Sequence, residues 1–188
     1  MSLVWVTGTP GAGKSSVCGV LRERGELTVD ADWEGYNRWV DRVSGQVVVD
    51  PPDPVPPGWL DRYGWRIDRA RVERLAALTR EADGYLCGCV ENEDEVWDLF
   101  DVAVCLVVGD DVVRSRLRGR TGNSFGKHPE ELAAALRHNA HAEGDYRRRG
   151  AVIVDGTLPL EEVAGLVTTA RRTRRPSRPP RTRPTPPS

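Results

Sequence analysis

The 188-residue sequence contains very little lysine: only Lys14 and Lys127, against 25 arginines. Because the arginines accompany many alanines, glycines and prolines, a composition typical of GC-rich coding, their number says little about function, whereas a retained lysine is informative. Long hydrophobic runs are also absent, since no apolar stretch approaches the roughly 20 residues that a membrane span needs. No signal-peptide pattern precedes the strand-like residues 3–6. We therefore expect a cytoplasmic protein with no membrane partner.

The sequence also has few cysteines and histidines. It contains four cysteines with no second pair at zinc spacing, and its three histidines are scattered over polar positions. This argues against a zinc site or a histidine-based metal site. Cys87 and Cys89 stand two apart, so on a strand their side chains would point the same way. We interpret them as a buried thiol pair rather than a metal or redox site.

The charge is balanced overall but unevenly distributed. The formal net charge is −1, yet residues 171–188 carry seven arginines, six prolines and no acidic residue. This segment is predicted to be a disordered tail, because it has almost no apolar side chains to bury. The remaining chain is net acidic, which argues against a nucleic-acid-binding surface over the whole domain. Only the tail has a composition suited to binding RNA, DNA or another polyanion. The simpler alternative is that the tail is dispensable.

Residues 1–170 are predicted to form one α/β domain, with 39% hydrophobic and 29% charged residues in the sequence as a whole. Short apolar runs alternate with amphipathic helical patterns, which indicates a parallel sheet covered by helices on both faces. Predicted strands cover 3–7, 27–30, 84–88, 101–108 and 151–154, and predicted helices 14–24, 67–81, 91–99, 110–120, 129–143 and 159–170. A proline-rich segment, 41–66, is too long for a simple connection and is predicted to be a binding insertion.

The first strand leads into a phosphate-binding motif. The eight residues that fit G-x-x-x-x-G-K-[ST] are Gly8, Thr9, Pro10, Gly11, Ala12, Gly13, Lys14 and Ser15, and we add Ser16 to the predicted nucleotide contacts. Glycines let backbone N–H groups converge on a phosphate, and the following helix adds positive potential. Lys14 is predicted to bridge the β- and γ-phosphates of ATP, and the Ser15 hydroxyl to ligate Mg²⁺. The motif predicts binding of a nucleoside triphosphate.

Three further segments make the chain resemble the nucleoside monophosphate kinases and shikimate kinases among the P-loop phosphotransferases. These segments are Val29–Asp32, Val113–Arg120 and Tyr146–Gly156. The resemblance implies a three-layer P-loop fold with a five-stranded parallel sheet in the order 2-3-1-4-5. It also implies a short mobile lid, placed at 120–129, and acceptor binding by the 41–66 insertion.

Asp30 and Asp32 stand at the carboxyl end of the second predicted strand, where open α/β sheets place their ligands. In strand geometry both carboxylates face the same side. By resemblance, Asp30 is assigned to Mg²⁺ and Asp32 to the acceptor hydroxyl, as a catalytic residue. The alternative is that one of them caps a helix over residues 33–39.

Several arginines are candidates for stabilising the charge on the transferred group. Arg120, before the lid, and Arg137, on the helix after it, are predicted to be catalytic. Arg116 and Arg120 are also predicted to contact the nucleotide. In a chain with 25 arginines, a solvated surface charge is the alternative at each position.

The segment after the third predicted strand differs from both the nucleoside monophosphate kinases and the shikimate kinases, because it contains neither of the motifs that these families have at this position. Gly88 and Asn92 are nevertheless predicted to contact the acceptor, although an acidic helix start explains this segment equally well. In the insertion, Arg62 is predicted to pair with a phosphate or carboxylate of the acceptor. The aromatic residues Trp59, Tyr63 and Trp65 are candidates for stacking on a ligand ring. For Trp65 we favour the alternative that it pins the loop to the domain, and for Trp59 both roles stay open.

Together these residues predict an enzyme that transfers the γ-phosphoryl group of Mg-ATP to a small metabolite. The acceptor is a hydroxyl of the shikimate or sugar-acid type, or a nucleoside monophosphate, and the enzyme acts as a monomer or homodimer. The alternative is a nucleotide-binding regulator or slow ATPase that has no small-molecule acceptor.

Overall fold

The computed structural model describes residues 1–79 and 82–173. Five parallel strands form the main sheet: β1 (Leu3–Gly8), β2 (Leu27–Asp30), β5 (Gly84–Cys87), β6 (Val102–Val107) and β7 (Val152–Asp155). Their spatial order is β2-β5-β1-β6-β7. Counted along the chain these are the second, third, first, fourth and fifth strands of that sheet. The predicted fold and strand order are therefore confirmed.

Six α-helices accompany the strands in the described residues. They are α1 (Lys14–Glu23), α2 (Trp59–Arg62), α3 (Arg69–Leu78), α4 (Asp110–Gly119), α5 (Pro129–Arg148) and α6 (Leu160–Thr173). Helices cover both faces of the sheet. Along β1, successive side chains point to opposite faces, and the side chains on each face pack against different helices. Val4 and Val6 pack in the cluster that includes α1 and α6, whereas Leu3 and Trp5 pack in the cluster that includes α3. A strand buried on both faces reads as a continuous apolar run.

A second sheet was not expected. Strands β3 (Asn37–Asp41) and β4 (Tyr63–Ile67) pair antiparallel, with Trp39 opposite Trp65. The helix over 33–39, considered as the alternative reading of the two aspartates, does not form, because Asn37, Trp39 and Val40 belong to strand β3. We call residues 37–67 the hairpin segment. It contains the predicted insertion 41–66.

The predicted helix over 91–99 is also wrong. This segment forms two short 3₁₀ turns, Glu93–Glu95 and Trp97–Leu99. The Asn92 side chain accepts a hydrogen bond from the Ile67 amide at 2.9 Å and donates one to the Ile67 carbonyl at 3.2 Å. A side chain that pairs with backbone in this way competes with helix formation.

The last helix extends into the segment predicted as a tail. Helix α6 continues to Thr173, and Arg171, whose side chain is 12% exposed, forms ion pairs with Glu26 and Asp83. The other residues of the predicted tail, 174–188, lie outside the described residues. Within the described part of the chain, no helix has the length and apolar character needed to cross a membrane.

Candidate active site

The P-loop connects β1 to α1 in the predicted position. Gly8 has φ of 131°, and a Cβ built there would lie 2.3 Å from the Leu106 carbonyl oxygen. Gly13 precedes the first turn of α1 with φ of 108°. Both positions therefore require glycine. The first amides of α1 have no partner inside the helix, and together with the helix dipole they form an anion-binding site.

Lys14 lies across this loop. Its Nζ atom donates hydrogen bonds to the carbonyls of Gly8, at 2.8 Å, and Thr9, at 3.0 Å. The side chain is buried, and an ammonium group has three donors. The Thr9 hydroxyl is buried and has no hydrogen-bond partner in the described part of the chain. A charged donor and an unsatisfied hydroxyl thus remain at the loop, as a polyphosphate ligand requires.

Ser15 and Asp30 line one cavity of about 430 Å³ between α1 and the end of β2. Ser15 is exposed, whereas Asp30 is 6% exposed and accepts a hydrogen bond from the Asp32 amide through Oδ1. A hydroxyl and a carboxylate are oxygen ligands of the kind that Mg²⁺ prefers. The donor set therefore fits the predicted metal. No cluster of three or more His, Cys, Asp or Glu side chains suited to a metal occurs in residues 1–79 and 82–173.

Asp32 is held by the hairpin segment. Its Oδ1 atom accepts hydrogen bonds from Asn37 Nδ2, at 2.7 Å, and from Trp65 Nε1, at 2.9 Å. The indole of Trp65 packs against Trp39, with ring centroids 5.1 Å apart. One carboxylate oxygen is therefore fixed by two donors, which leaves Oδ2 as the oxygen that can face a substrate. The predicted pinning role of Trp65 thus takes the form of a hydrogen bond to Asp32.

The hairpin segment also contacts the predicted lid. The Ser124 hydroxyl donates to the Asp53 carboxylate, and the Gly58 amide donates to Glu130 Oε2 at 2.9 Å. Gly122 approaches the ring of Trp33 so closely that a Cβ would lie 3.4 Å from it. The predicted lid and the predicted acceptor-binding insertion thus contact each other in this structure.

The three candidate arginines have different environments. Arg116 donates to the carbonyls of Gly11 and Ala12 in the P-loop and of Gly156 after β7. It therefore ties the P-loop to the end of the last strand. Arg120 donates to the Asn123 side chain at 3.1 Å, within the lid. Arg137 is exposed on α5 and makes no hydrogen bond or ion pair within the described ranges.

Three residues predicted to contact the acceptor are engaged elsewhere. Arg62 Nε pairs with Asp41 Oδ2 at 2.8 Å, at the far end of the β3–β4 pair. Gly88 accepts a hydrogen bond from the Trp5 indole at its carbonyl and packs against Ala31. The amide of Asn92 is fully used by Ile67 and Glu95. The hydrogen bonds of Arg62 and Asn92 do not involve Asp32 in the described part of the chain, whereas Gly88 lies next to Ala31, the neighbour of Asp32.

Comparisons with known proteins agree with the P-loop and the fold described above. The family model described as an AAA domain matches residues 4–137. A dephospho-CoA kinase of Deinococcus radiodurans is 31% identical over 189 aligned residues, which cover 89% of each chain. The chain belongs to this P-loop family, among its small-molecule kinases.

Solved structures of small-molecule kinases share its fold. A shikimate kinase from Bacteroides thetaiotaomicron is 16% identical and superposes with a TM-score of 0.58, covering 91% of this chain and 98% of that one. A gluconokinase from Sinorhizobium meliloti 1021 is 24% identical with a TM-score of 0.50, covering 92% and 95%. At these identities the likeness shows the fold alone.

A buried polar cluster of this P-loop kinase was missed by sequence reasoning. The Tyr146 hydroxyl contacts Thr7 Oγ1, at 3.1 Å, and donates to Glu93, whose other oxygen accepts from Arg149 at 3.0 Å. Burial raises the pKa of the Glu93 carboxyl, and burial beside Glu93 raises that of Tyr146. Thr7 precedes the P-loop and Tyr146 lies on α5, so the cluster connects the loop to the helix that follows the lid. The sequence does not indicate this cluster, because Glu93 is one of several neighbouring acidic residues and no pattern distinguishes it from the others.

The cysteines of the kinase also differ from expectation. All four are free, and Cys87 is buried in the apolar cluster that contains Cys18, whereas Cys89 is only half-buried. Strand β5 ends at Cys87, so the alternation that would align Cys89 does not continue. Cys89 instead lies beside the Lys14 ammonium, and burial raises its pKa. The Cys87 hydrogen bond lowers the pKa of Cys18.

Proposed function

We propose that this protein transfers the γ-phosphoryl group of ATP to a hydroxyl of a small metabolite. Lys14 and the P-loop amides hold the triphosphate, and Asp32 Oδ2 orients the acceptor hydroxyl and takes its proton. Ser15 and Asp30 would hold Mg²⁺, which neutralises charge on the phosphates when bound. Arg116 and Arg120 remain proposed nucleotide contacts, and Arg137 a proposed lid contact. The observation that carries the proposal is the Asp32 carboxylate fixed by Asn37 and Trp65, together with a P-loop whose buried Thr9 hydroxyl has no partner in the described part of the chain.

The hairpin segment favours a hydroxyl acceptor over a nucleoside monophosphate. A phosphate-bearing acceptor needs cationic side chains that are free to pair with it. Each of the four arginines in residues 37–67 is already paired with a carboxylate. The pairs are Arg38–Asp68, Arg42–Glu91, Arg62–Asp41 and Arg66–Glu95. We therefore infer that the acceptor presents no phosphate group to this segment. A contact between Arg62 and an acceptor phosphate would require a hairpin conformation in which Arg62 is released from Asp41, and it remains a proposal.

The proposal is tested by ADP release from Mg-ATP in the presence of single acceptors. The panel contains shikimate, gluconate, other sugar acids and polyols, the nucleoside monophosphates, and dephospho-CoA, which the Deinococcus relative is named for. We expect one phosphate-free hydroxyl compound to stimulate turnover strongly. Stimulation by a nucleoside monophosphate alone would contradict the acceptor class. ATP binding without stimulation by any compound would contradict phosphoryl transfer to a metabolite.

We expect Trp65→Phe to lower kcat about tenfold, because a hydrogen bond to a charged group contributes about 1.5–3 kcal/mol and the substitution removes one from Asp32. The KM for ATP should stay unchanged, since the hydrogen bond and ring contact of the Trp65 side chain involve Asp32 and Trp39. Trp39→Phe is the matched control: it trims an indole from the same cluster without removing a hydrogen bond to Asp32. Equal losses of kcat in both variants would contradict the role assigned to Trp65. Initial rates at varied ATP concentration measure both constants.

A further inference from the structure

A groove runs from the phosphate site along one face of α1. The cavity of about 430 Å³ that contains Ser15 and Asp30 extends over the next two turns of this helix. From Ser15 to Arg22 the helix rises about 10 Å. Residues of α1 form one wall, and β2 with the loop that follows it forms the other. Beyond Ser15 and Asp30, the lining residues are Cys18, Gly19, Arg22, Thr28, Trp33 and Glu34.

The groove has an unused polar group on one wall and open space on the other. Thr28 is 8% exposed, and its hydroxyl has no hydrogen-bond partner in the described part of the chain, although buried polar groups are normally paired. Gly19 lies inside α1, where glycine is less favourable than alanine. A Cβ built at Gly19 would have no neighbouring atom within 4 Å. Both observations point to a ligand that lies over Gly19 and reaches Thr28.

The end of the groove farthest from Ser15 carries a cation with free donors. Arg22 donates through Nη2 alone, to Glu34 Oε1, to the Thr28 carbonyl and to the Cys18 sulfur. Its Nε and Nη1 atoms have no partner among residues 1–79 and 82–173, and its side chain is 54% exposed. A ligand can therefore reach this guanidinium, and a carboxylate is a strong hydrogen-bond partner for it.

The charges of the groove favour a single negative charge on the ligand. Glu34 and Asp30 line the same cavity as Arg22, and like charges at close range repel each other. Two carboxylates repel a doubly charged phosphate more strongly than they repel a singly charged carboxylate. The Oε2 atom of Glu34 accepts no hydrogen bond within the described ranges, so it is free to accept one from a ligand hydroxyl.

Trp33 gives the rim of the groove an apolar surface. It is 60% exposed and lines the cavity. An indole offers a large flat area against which a carbon skeleton can pack. Gly122 of the predicted lid lies next to the same ring. A ligand that packs on Trp33 is therefore within reach of the lid.

We propose that this groove is a subsite for the acceptor, in which Arg22 pairs with a carboxylate of the substrate. Thr28 and Glu34 Oε2 hydrogen-bond to its hydroxyls, Gly19 leaves room for its carbon chain, and Trp33 packs against that chain. The acceptor is therefore a polyhydroxylated carboxylic acid rather than a neutral polyol or a phosphate ester. This inference rests on the proposed function, because it identifies the compound whose hydroxyl receives the phosphoryl group.

The length of the groove places the reacting hydroxyl at the phosphate site. The Asp32 amide donates to Asp30 Oδ1 at 3.1 Å, so the proposed base adjoins the head of the groove. A chain of five or six carbon atoms with a hydrogen bond at each end spans about 10 Å. A substrate of this size can pair with Arg22 at one end and present a hydroxyl to Asp32 at the other.

Gly19→Leu tests the groove by filling it. The new side chain enters open space, so the protein should fold, and the thermal unfolding midpoint checks this. We expect the KM for a stimulating acid to rise about tenfold or more, because leucine occupies the place of the carbon chain, while the KM for ATP stays within about twofold. Gly165→Leu is the matched control, since Gly165 also lies inside a helix with no atom within 4 Å of a built Cβ. An unchanged KM for the acid in Gly19→Leu would overturn the proposal.

Arg22→Gln tests the ligand class with pairs of probes that differ in the carboxylate. The pairs are gluconate with glucitol, and shikimate with its methyl ester. We expect the wild type to bind the acid of at least one pair more tightly, and Arg22→Gln to lose about tenfold to a hundredfold of that preference. Arg24→Gln, which removes a cation paired with Glu161 at the end of the same helix, should keep it. A preference for the neutral compounds would overturn the carboxylate assignment, as would Arg22-dependent binding of inorganic phosphate that excludes the acids.

Isothermal titration of the probes without nucleotide separates the groove from the proposed function. If gluconate or shikimate binds the wild type but not Gly19→Leu, and no compound stimulates turnover, the groove stands and the proposed phosphoryl transfer fails. If a compound stimulates turnover equally in the wild type, Gly19→Leu and Arg22→Gln, phosphoryl transfer stands and the groove assignment fails. Absence of binding of every carboxylate tested overturns the groove.

Discussion

Replacing Lys14 with alanine is expected to lower phosphoryl transfer by roughly a thousandfold or more, because the positioned charge acts on the group whose negative charge spreads in the transition state. The Nζ atom already spans the loop between the Gly8 and Thr9 carbonyls. A bound triphosphate offers it stronger, charged partners. Initial rates at saturating ATP and acceptor measure the effect.

The Lys14→Ala protein should remain folded. The ammonium group bonds to two loop carbonyls, and each such bond contributes about 1 kcal/mol net to stability. Circular dichroism and the thermal unfolding midpoint check this expectation. Arg118→Ala is the matched control, because Arg118 is an exposed cation on α4 without a hydrogen bond or ion pair in residues 1–79 and 82–173. Turnover at the wild-type rate in Lys14→Ala would contradict the assignment of the P-loop lysine.

The main sheet could be predicted because residues that are neighbours in the sequence identify each of its strands. Each buried strand is a short apolar run followed by a helical pattern, and a P-loop motif needs contiguous residues only. The hairpin segment lacks such a signal. Strands β3 and β4 pair across residues 42–62, a connection far longer than the two-residue turns that identify a hairpin in sequence. Its five prolines pointed to a loop, and the pairing depends on contacts among Trp39, Trp65 and their neighbours.

The same distinction between local sequence signals and long-range contacts applies to the candidate site. The P-loop was predicted from its spacing, and the roles of the two aspartates at the end of β2 were predicted from the family resemblance; the structure places Ser15 and Asp30 at one cavity. The partners of Asp32 could not be assigned, because Asn37 and Trp65 reach it only after the β3–β4 pair forms. Arg62 shows the converse. Its charge suggested an acceptor contact, yet folding gives it Asp41, whose carboxylate also accepts from two amides of the following turn.

Asp32→Asn is expected to lower kcat by about 10²–10⁴-fold while ATP affinity stays close to that of the wild type. The amide oxygen of asparagine can accept the same hydrogen bonds from Asn37 and Trp65, so the side chain keeps its position. What is lost is the oxygen that takes the acceptor proton, and general-base catalysis contributes a factor of this size. Isothermal titration of ATP and initial rates with the stimulating acceptor separate the two effects.

Asp61→Asn provides the control for this substitution. Asp61 is an exposed carboxylate on α2, in the same hairpin segment, so it reports any general effect of removing one negative charge. Equal losses of rate and ATP affinity in Asp32→Asn would show that Asp32 is structural. The double variant with Trp65→Phe gives a stricter criterion. Because Trp65 is proposed to act through Asp32, its substitution should cost little once Asp32 is asparagine, whereas independent roles would give additive losses.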